Sequence, residues 1–256
     1  MEKIRFFLKF GERIHLESLL KGKLYFSNAK TFWGIEDEQK IKGQGDILEA
    51  GAKIFAQKIE MRDPNTNKIK IMQEQANVIL RAEPAERMPV FCLFAVYDED
   101  CRINEDGQLI ISLSDKKKKT ISEHFPKADS VAIISNPDIF IKDVKRTIGF
   151  NIQSDCVQYF NIDKGYITSG GEIALDMDYM KYLTQDAPPV TKNGAIVYSF
   201  CVDYAYRVLF CKDVFFKDEQ EYRIVLPDEI IDEGTYYPVT FSEQCTICDL
   251  QEFFNK

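Results

Sequence analysis

The chain opens with two hydrophobic periods in succession. Ile4–Phe10 is a mostly apolar run that predicts a strand, and Glu12–Leu20 follows with Ile14, Leu16, Leu19 and Leu20 near helical spacing. Gly22 stops that helix, and Lys23–Ser27 (KLYFS) predicts a second short strand. Residues 28–46 (NAKTFWGIEDEQKIKGQGD) are polar with glycines at 34, 43 and 45, so they read as a long polar loop, and long irregular loops exist for a reason. Asp46 then caps an expected helix to about Gln57, with Ile47, Leu48, Ile54 and Phe55 on its buried side.

KIEMRDPNTNKIKIM is the clearest hairpin, two alternating strands around a DPNTN turn, while Val78–Leu80 extends it as strand or helix. MPVFCLFAVY (88–97) is almost wholly apolar, as a central strand buried on both faces is. Lys116–Lys119 begins a short helix, SVAIIS (130–135) is a buried strand, and Pro137 opens a helix through Ile148, a favoured place for proline. Strands dominate thereafter: CVQYF, AIVYSFCV, YRVLF, EYRIVL and YYPVTF. There is no repeat and no separating linker. The expectation is one α+β domain over residues 1–256, with an interrupted, largely antiparallel sheet and short helices.

Composition narrows the classes without naming a function. Hydrophobic residues are 45% and charged residues 29%, with 13 Gly and 9 Pro in 256 residues, which excludes collagen-like, low-complexity and wholly disordered chains. A folded chain of this size should expose about 11,500 Å². The net charge of −8 disfavours a static coat on nucleic acid but leaves room for a local basic path. No apolar run reaches the length of a transmembrane helix, and the start MEKIRFFLKFGERIH does not read as a signal peptide. No membrane partner is expected on that ground, and seven cysteines, an odd number scattered through apolar runs such as VFCLF and YSFCV, point to free thiols in a reducing cytoplasm.

Two constellations carry candidate chemistry. In Glu219-Gln220-Glu221-Tyr222-Arg223-Ile224-Val225-Leu226, strand alternation turns Tyr222, Ile224 and Leu226 into a core and sets Glu219, Glu221 and Arg223 on the other face. Carboxylates so close do not titrate independently, and the adjacent guanidinium holds one ionised. The plain alternative is a solvated face with a weak surface ion pair. The second constellation is the N-terminal unit, where Arg5, Lys9 and Arg13 flank a strand end and a turn suited to a phosphate-bearing ligand. Its plain alternative is an ordinary packing unit.

Weaker signals add little. His15 and His124 are the only histidines, so a His-rich metal site is impossible, and Cys245-x-x-Cys248 has no second pair. There is no GxSxG elbow, Walker A motif or GxGxxG. The Lys116–Lys119 run is a solvated face or the entrance for an anionic polymer.

The opening strand, the helix ESLLKG and the strand LYFS resemble the start of bacterial ADP-ribosyltransferase-like toxins, including the DNA-modifying toxins of toxin–antitoxin pairs. The late strand DEQEYRIV resembles their Glu-x-Glu catalytic strand. A set of uncharacterised bacterial and phage proteins with "G-x-LYFS…FW", "GD-x-x-EAG", "VFCLF" and "FFKDEQEYRIV" is similar. The resemblance implies a split-sheet fold and NAD as substrate, cleaved at the nicotinamide–ribose bond. It implies Glu221 as the carboxylate that stabilises an oxocarbenium-like state and Glu219 as the group that positions or activates the acceptor. Arg5 or Lys9 would hold the ribose or phosphate. His15 and Ser27 complete the binding set, and Tyr25, Phe26, Phe32 and Trp33 would sandwich the nicotinamide beneath the 28–46 loop. The implied partners are a macromolecular acceptor (protein, DNA or RNA) and an antitoxin or neutralising protein, for a toxin or phage-defence effector. On this reading Glu221→Gln removes turnover and leaves stability nearly intact. Two other classes stand beside it: a non-enzymatic nucleotide- or partner-binding module, and a Mg²⁺-dependent nuclease-like enzyme using Asp37, Glu38, Asp46, Glu49, Glu219 and Glu221.

Overall fold

The computed structural model describes residues 2–39, 45–63, 65–149, 151–164, 166–167, 173–174, 176–187, 190–192, 195–197 and 199–255. In chain order, β1 (Phe6–Gly11), α1 (Arg13–Leu20) and β2 (Lys23–Phe26) precede α2 (Ala29–Gln39). The long strands β3 (Gly51–Arg62) and β4 (Ile69–Arg81) form a hairpin. β5 (Val90–Val96), the short pair β6 (Cys101–Ile103) and β7 (Leu109–Ile111), α3 (Asp115–His124), β8 (Ser130–Ile134) and α4 (Pro137–Ile148) come next. β9 (Gln153–Cys156) and β10 (Gln158–Phe160) lead to two small hairpins, β11 (Tyr166–Ile167) with β12 (Ile173–Ala174) and, after α5 (Met177–Thr184), β13 (Val190–Lys192) with β14 (Ala195–Val197). A 3₁₀ segment Val202–Phe210, β15 (Cys211–Asp213) and a 3₁₀ turn Val214–Glu219 deliver β16 (Glu221–Val225). β17 (Thr235–Pro238), β18 (Thr246–Asp249) and α6 (Leu250–Phe254) close the α+β architecture.

The main sheet has six antiparallel strands in the order β18-β8-β1-β5-β16-β9. On one face, Phe7, Leu93, Ala95 and Ile224 pack with Leu16 and Leu19 of α1, Phe140 and Val144 of α4 and Phe26 of β2. On the other, Leu8, Phe10, Phe94 and Val96 meet Ile121 of α3 and Leu250 of α6. A third cluster joins Val90 and Val225 to Val208 and Leu209 of the first 3₁₀ segment. Ser27 bridges to Val90, tying the end of β2 to the start of β5. Gly22 carries the turn before β2 at φ 70°, and the carbonyl of Val239 lies 2.2 Å from where a Cβ would stand. No other residue fits there. The helix α4 follows its local signals: Asn136 Oδ1 accepts from Ile139 N at 3.3 Å, and Pro137 occupies the first turn.

Three expectations are corrected. The 28–46 stretch is helical over Ala29–Gln39: Asn28, itself buried and donating to Ile231 O, accepts from Thr31 N at 3.1 Å and starts α2. The helix expected from Asp46 is a single turn. Asp46 Oδ1 accepts from Leu48 N at 2.9 Å, but Ala50 takes φ 56° and the chain leaves as β3. The side chains of Ile54 and Phe55 lie outside the described residues. YRVLF is 3₁₀ rather than strand, because Ala205, Val208 and Leu209 recur at helical spacing and are all buried. Val78–Leu80 continues β4, and in AIVYSFCV the strand β14 covers Ala195–Val197, while Ser199 and Phe200 are not strand.

The accessible surface, 15119 Å², exceeds the expectation for a compact chain. Among the described residues no helix is long and apolar enough to cross a membrane.

Candidate functional site

β1 and β5 pair over only three positions, Phe6–Val96, Phe7–Ala95 and Leu8–Phe94. Beyond them β1 continues to Gly11 against β8, while β5 runs back to Val90 against β16. The sheet therefore parts between its third and fourth strands. A cavity of about 280 Å³ opens at this parting, lined by Lys9 of β1, Ser27 after β2, Thr31 and Phe32 of α2, Cys92 of β5 and Glu221 of β16.

The floor is a buried charge lattice. Arg223, 1% exposed, donates from Nε to Glu221 Oε1 at 2.8 Å and from Nη2 to Glu221 Oε2 at 3.0 Å and Glu49 Oε2 at 2.9 Å. Its Nη1 reaches Glu49 Oε1 and the carbonyl of Leu209. Lys212 of β15 donates to Glu219 Oε2 at 2.6 Å and lies 3.3 Å from Glu221 Oε2. His124 Nδ1 stands 2.7 Å from Glu219 Oε1. Three carboxylates from three separate segments thus share two cations, as burial requires.

These contacts set the protonation states. Burial alone would raise the Glu221 carboxyl, but Arg223 and Lys212 outweigh it and hold Glu221 well below the usual carboxylate range. Burial likewise opposes the charge on Lys212, and Glu219 and Glu221 more than restore it. Lys9 is pulled down by burial, partly offset by the nearby Cys92 and Glu221. Burial and Glu221 push the Cys92 thiol far up. Tyr159 accepts from the backbone N of Glu221 at 2.8 Å, and burial raises its hydroxyl. A fixed negative charge, at pH 7 and below, therefore faces the cavity from Glu221.

Several residues proposed from sequence meet here, and others do not. Lys9, Tyr25, Ser27, Phe32, Glu219 and Glu221 line the cavity, as do Asp46 and Glu49. The hydroxyl of Ser27 is shut off from solvent with no hydrogen-bond partner among the described residues. Arg5 lies elsewhere, bound through Nε to Asp98 at 2.6 Å, and Arg13 is exposed beside Glu17. Phe26 is buried in the core on the opposite face. Trp33 points away, its indole donating to Glu49 O at 3.0 Å under the Arg81 guanidinium. His15 faces a second cavity, described below. Glu38 is exposed, and the side chain of Asp37 lies outside the described residues.

The solvated-face reading of Glu219 and Glu221 is overturned, since they are 7% and 8% exposed. Glu219 is also not on the strand: Gln220 takes φ 42° between the 3₁₀ turn and β16, so the two glutamates reach Lys212 from different elements. Glu49, Glu219 and Glu221 are occupied by the protein's own cations rather than gathered into an oxygen cage for a metal. Sequence reasoning missed Lys212, Thr31, Cys92 and His124. A lysine enclosed by the apolar run LFCKDVFF was the one available signal.

The remaining motifs are structural. Lys116 pairs with Asp218, Lys117 with Glu99 and the buried Asp100, Lys118 with the carbonyl of Phe254, and Lys119 with Glu123. Cys245 packs with the α1–α4 side of the sheet and Cys248 with the α3–α6 side, so the CxxC pair is divided between two faces. Comparison of the chain with protein-family models, with curated proteins and with solved structures finds no match.

Proposed function

We propose that this protein is an NAD-dependent mono-ADP-ribosyltransferase acting on a macromolecular acceptor, in the manner of a toxin or phage-defence effector. The observation that carries the reading is Glu221: an ionised, immobile carboxylate on the wall of a cavity at the parting of a sheet, facing Ser27, Tyr25 and Phe32. In such a reaction the C1′–N bond to nicotinamide breaks, its electron pair leaves with neutral nicotinamide, and positive charge grows on the ribose. A pre-organised anion stabilises that charge at no cost of reorganisation. The acceptor nucleophile then bonds to C1′ and its proton passes to Glu219 or to water. Each carboxylate oxygen of Glu219 accepts one hydrogen bond, from His124 or from Lys212, and keeps a second acceptor position. Ser27, whose hydroxyl has no partner among the described residues, supplies a bond to the ribose or amide.

A second reading, a nucleotide- or partner-binding module without turnover, is favoured by one observation: every carboxylate oxygen of both glutamates already has a partner among Arg223, Lys212 and His124, as a structural charge lattice would. Nicotinamide release, with and without cell lysate, separates the two. The transferase reading expects release by wild type, a loss of about 100- to 1,000-fold in Glu221→Gln among molecules shown to be folded, and a larger effect of Glu219→Gln on transfer than on hydrolysis. Wild type that binds NAD in a thermal-shift assay but never consumes it establishes the binding module, and wild type that does neither removes NAD from both.

A further inference from the structure

A second cavity, about 450 Å³, opens on the α1 side of the same parting. Lys9, Phe10, Tyr25 and Phe125 border both cavities. Its walls are aromatic: Tyr25 and Tyr236 stand 5.0 Å apart at 58° and are both half exposed. Its rim is basic. His15, Lys23 and Lys127 are exposed and make no ion pair among the described residues, and Glu12 is the one carboxylate among the described lining residues. The whole chain carries −8, so a rim with Lys23, Lys127 and His15 against a single described carboxylate is locally basic, and it surrounds aromatic walls.

Splayed rings offer stacking to a flat heterocycle, and flexible ammonium groups at the rim suit a phosphate at its periphery. We propose that this cavity binds a nucleoside monophosphate unit, with its base against Tyr25 and Tyr236 and its phosphate between Lys23 and Lys127. Its place across the parting from Glu221 makes that unit the acceptor. The acceptor role rests on the transferase reading above, whereas the binding does not. The unit arrives as a free nucleotide or within a single strand of nucleic acid.

The test is titration of the full-length protein, without NAD, by 5′-AMP and by an unstructured single-stranded oligodeoxynucleotide at two salt concentrations. Lys127→Glu changes an exposed side chain and leaves the core untouched. It should weaken binding by about tenfold or more and lower the salt dependence. Tyr236→Ala, checked for folding by circular dichroism, should weaken it by about 5- to 150-fold. Binding of both probes identifies free nucleotides as admitted, and binding of the oligonucleotide alone identifies the strand. No binding of either probe, or wild-type affinity in Lys127→Glu, overturns the proposal. Nicotinamide release is measured separately, so failure of the first cavity's reading and failure of this one are distinct results.

Discussion

Lys9 Nζ donates to the backbone carbonyl of Cys92 at 2.7 Å, across the place where β1 and β5 have stopped pairing. A side chain here does what the ladder no longer does. It satisfies a carbonyl on the inner edge of β5 and spans the parting that both cavities share. The ammonium also lies over the Phe91 ring at 4.8 Å, so one lysine serves the backbone, an aromatic face and the entrance to two cavities.

Glu221→Gln should destabilise the protein, contrary to the expectation from sequence. It leaves Arg223 and Lys212 buried with one fewer anion, a loss of about 3–5 kcal/mol at neutral pH. The folded-state carboxyl lies below its unfolded value, so its contribution is full above about pH 5 and is lost as pH falls toward the folded value. Urea unfolding of wild type and variant at pH 7 and at about pH 3 should therefore show the gap narrowing in acid. A gap independent of pH would mean that Glu221 is not ionised in the folded protein.

Ser27→Ala should separate stability from binding. The change removes a buried hydroxyl that has no partner among the described residues, so the thermal midpoint should hold or rise. Affinity for NAD should fall by about 5- to 10-fold if the hydroxyl bonds the ligand. Unchanged affinity would remove Ser27 from the binding set.

Two glycines should respond differently to alanine. At Gly234 a Cβ would stand 1.8 Å from the Tyr25 hydroxyl, the free end of a half-exposed side chain. The ring can swing aside, so stability should change by under about 1 kcal/mol while ligand binding at both cavities weakens. At Gly22 the clash is with the Val239 carbonyl and φ is 70°, so Gly22→Ala should cost about 1–3 kcal/mol. Thermal midpoints together with nucleotide titrations distinguish the two.

The lysine run should be uneven. Lys117→Ala leaves the buried Asp100 with Gln220 as its remaining side-chain partner and should cost about 2 kcal/mol. Lys119→Ala, in an exposed pair at 3.7 Å, should cost under about 0.5 kcal/mol. Equal effects in chemical unfolding would show that the Lys117 pairing adds nothing.

What the sequence made legible was local. Pro137 and Asn136 announced α4, the apolar run around Cys92 announced the central strand, and the alternation through Tyr222, Ile224 and Leu226 put Glu221 and Arg223 on one face of β16. Tyr222 is only half buried, against the fully buried Ile224 and Leu226. The misses are tertiary. Gln220 is not a glycine, so nothing marked the left-handed corner that takes Glu219 off the strand. The polar α2 is started by an Asn28 that is itself held by Ile231, far along the chain. No local pattern pairs Glu49 with Arg223 across 174 positions of sequence.

That separation has a kinetic consequence. Arg223 loses its water only when Glu49, Glu221 and the Leu209 carbonyl are all in place, because a partly assembled set would strand a charge in apolar surroundings. The floor is therefore closed by contacts of high sequence separation, which must bring distant parts of the chain together before they are made. A nascent chain released short of β16 has no charge lattice, so whatever activity resides there begins only once nearly the whole polypeptide has been made.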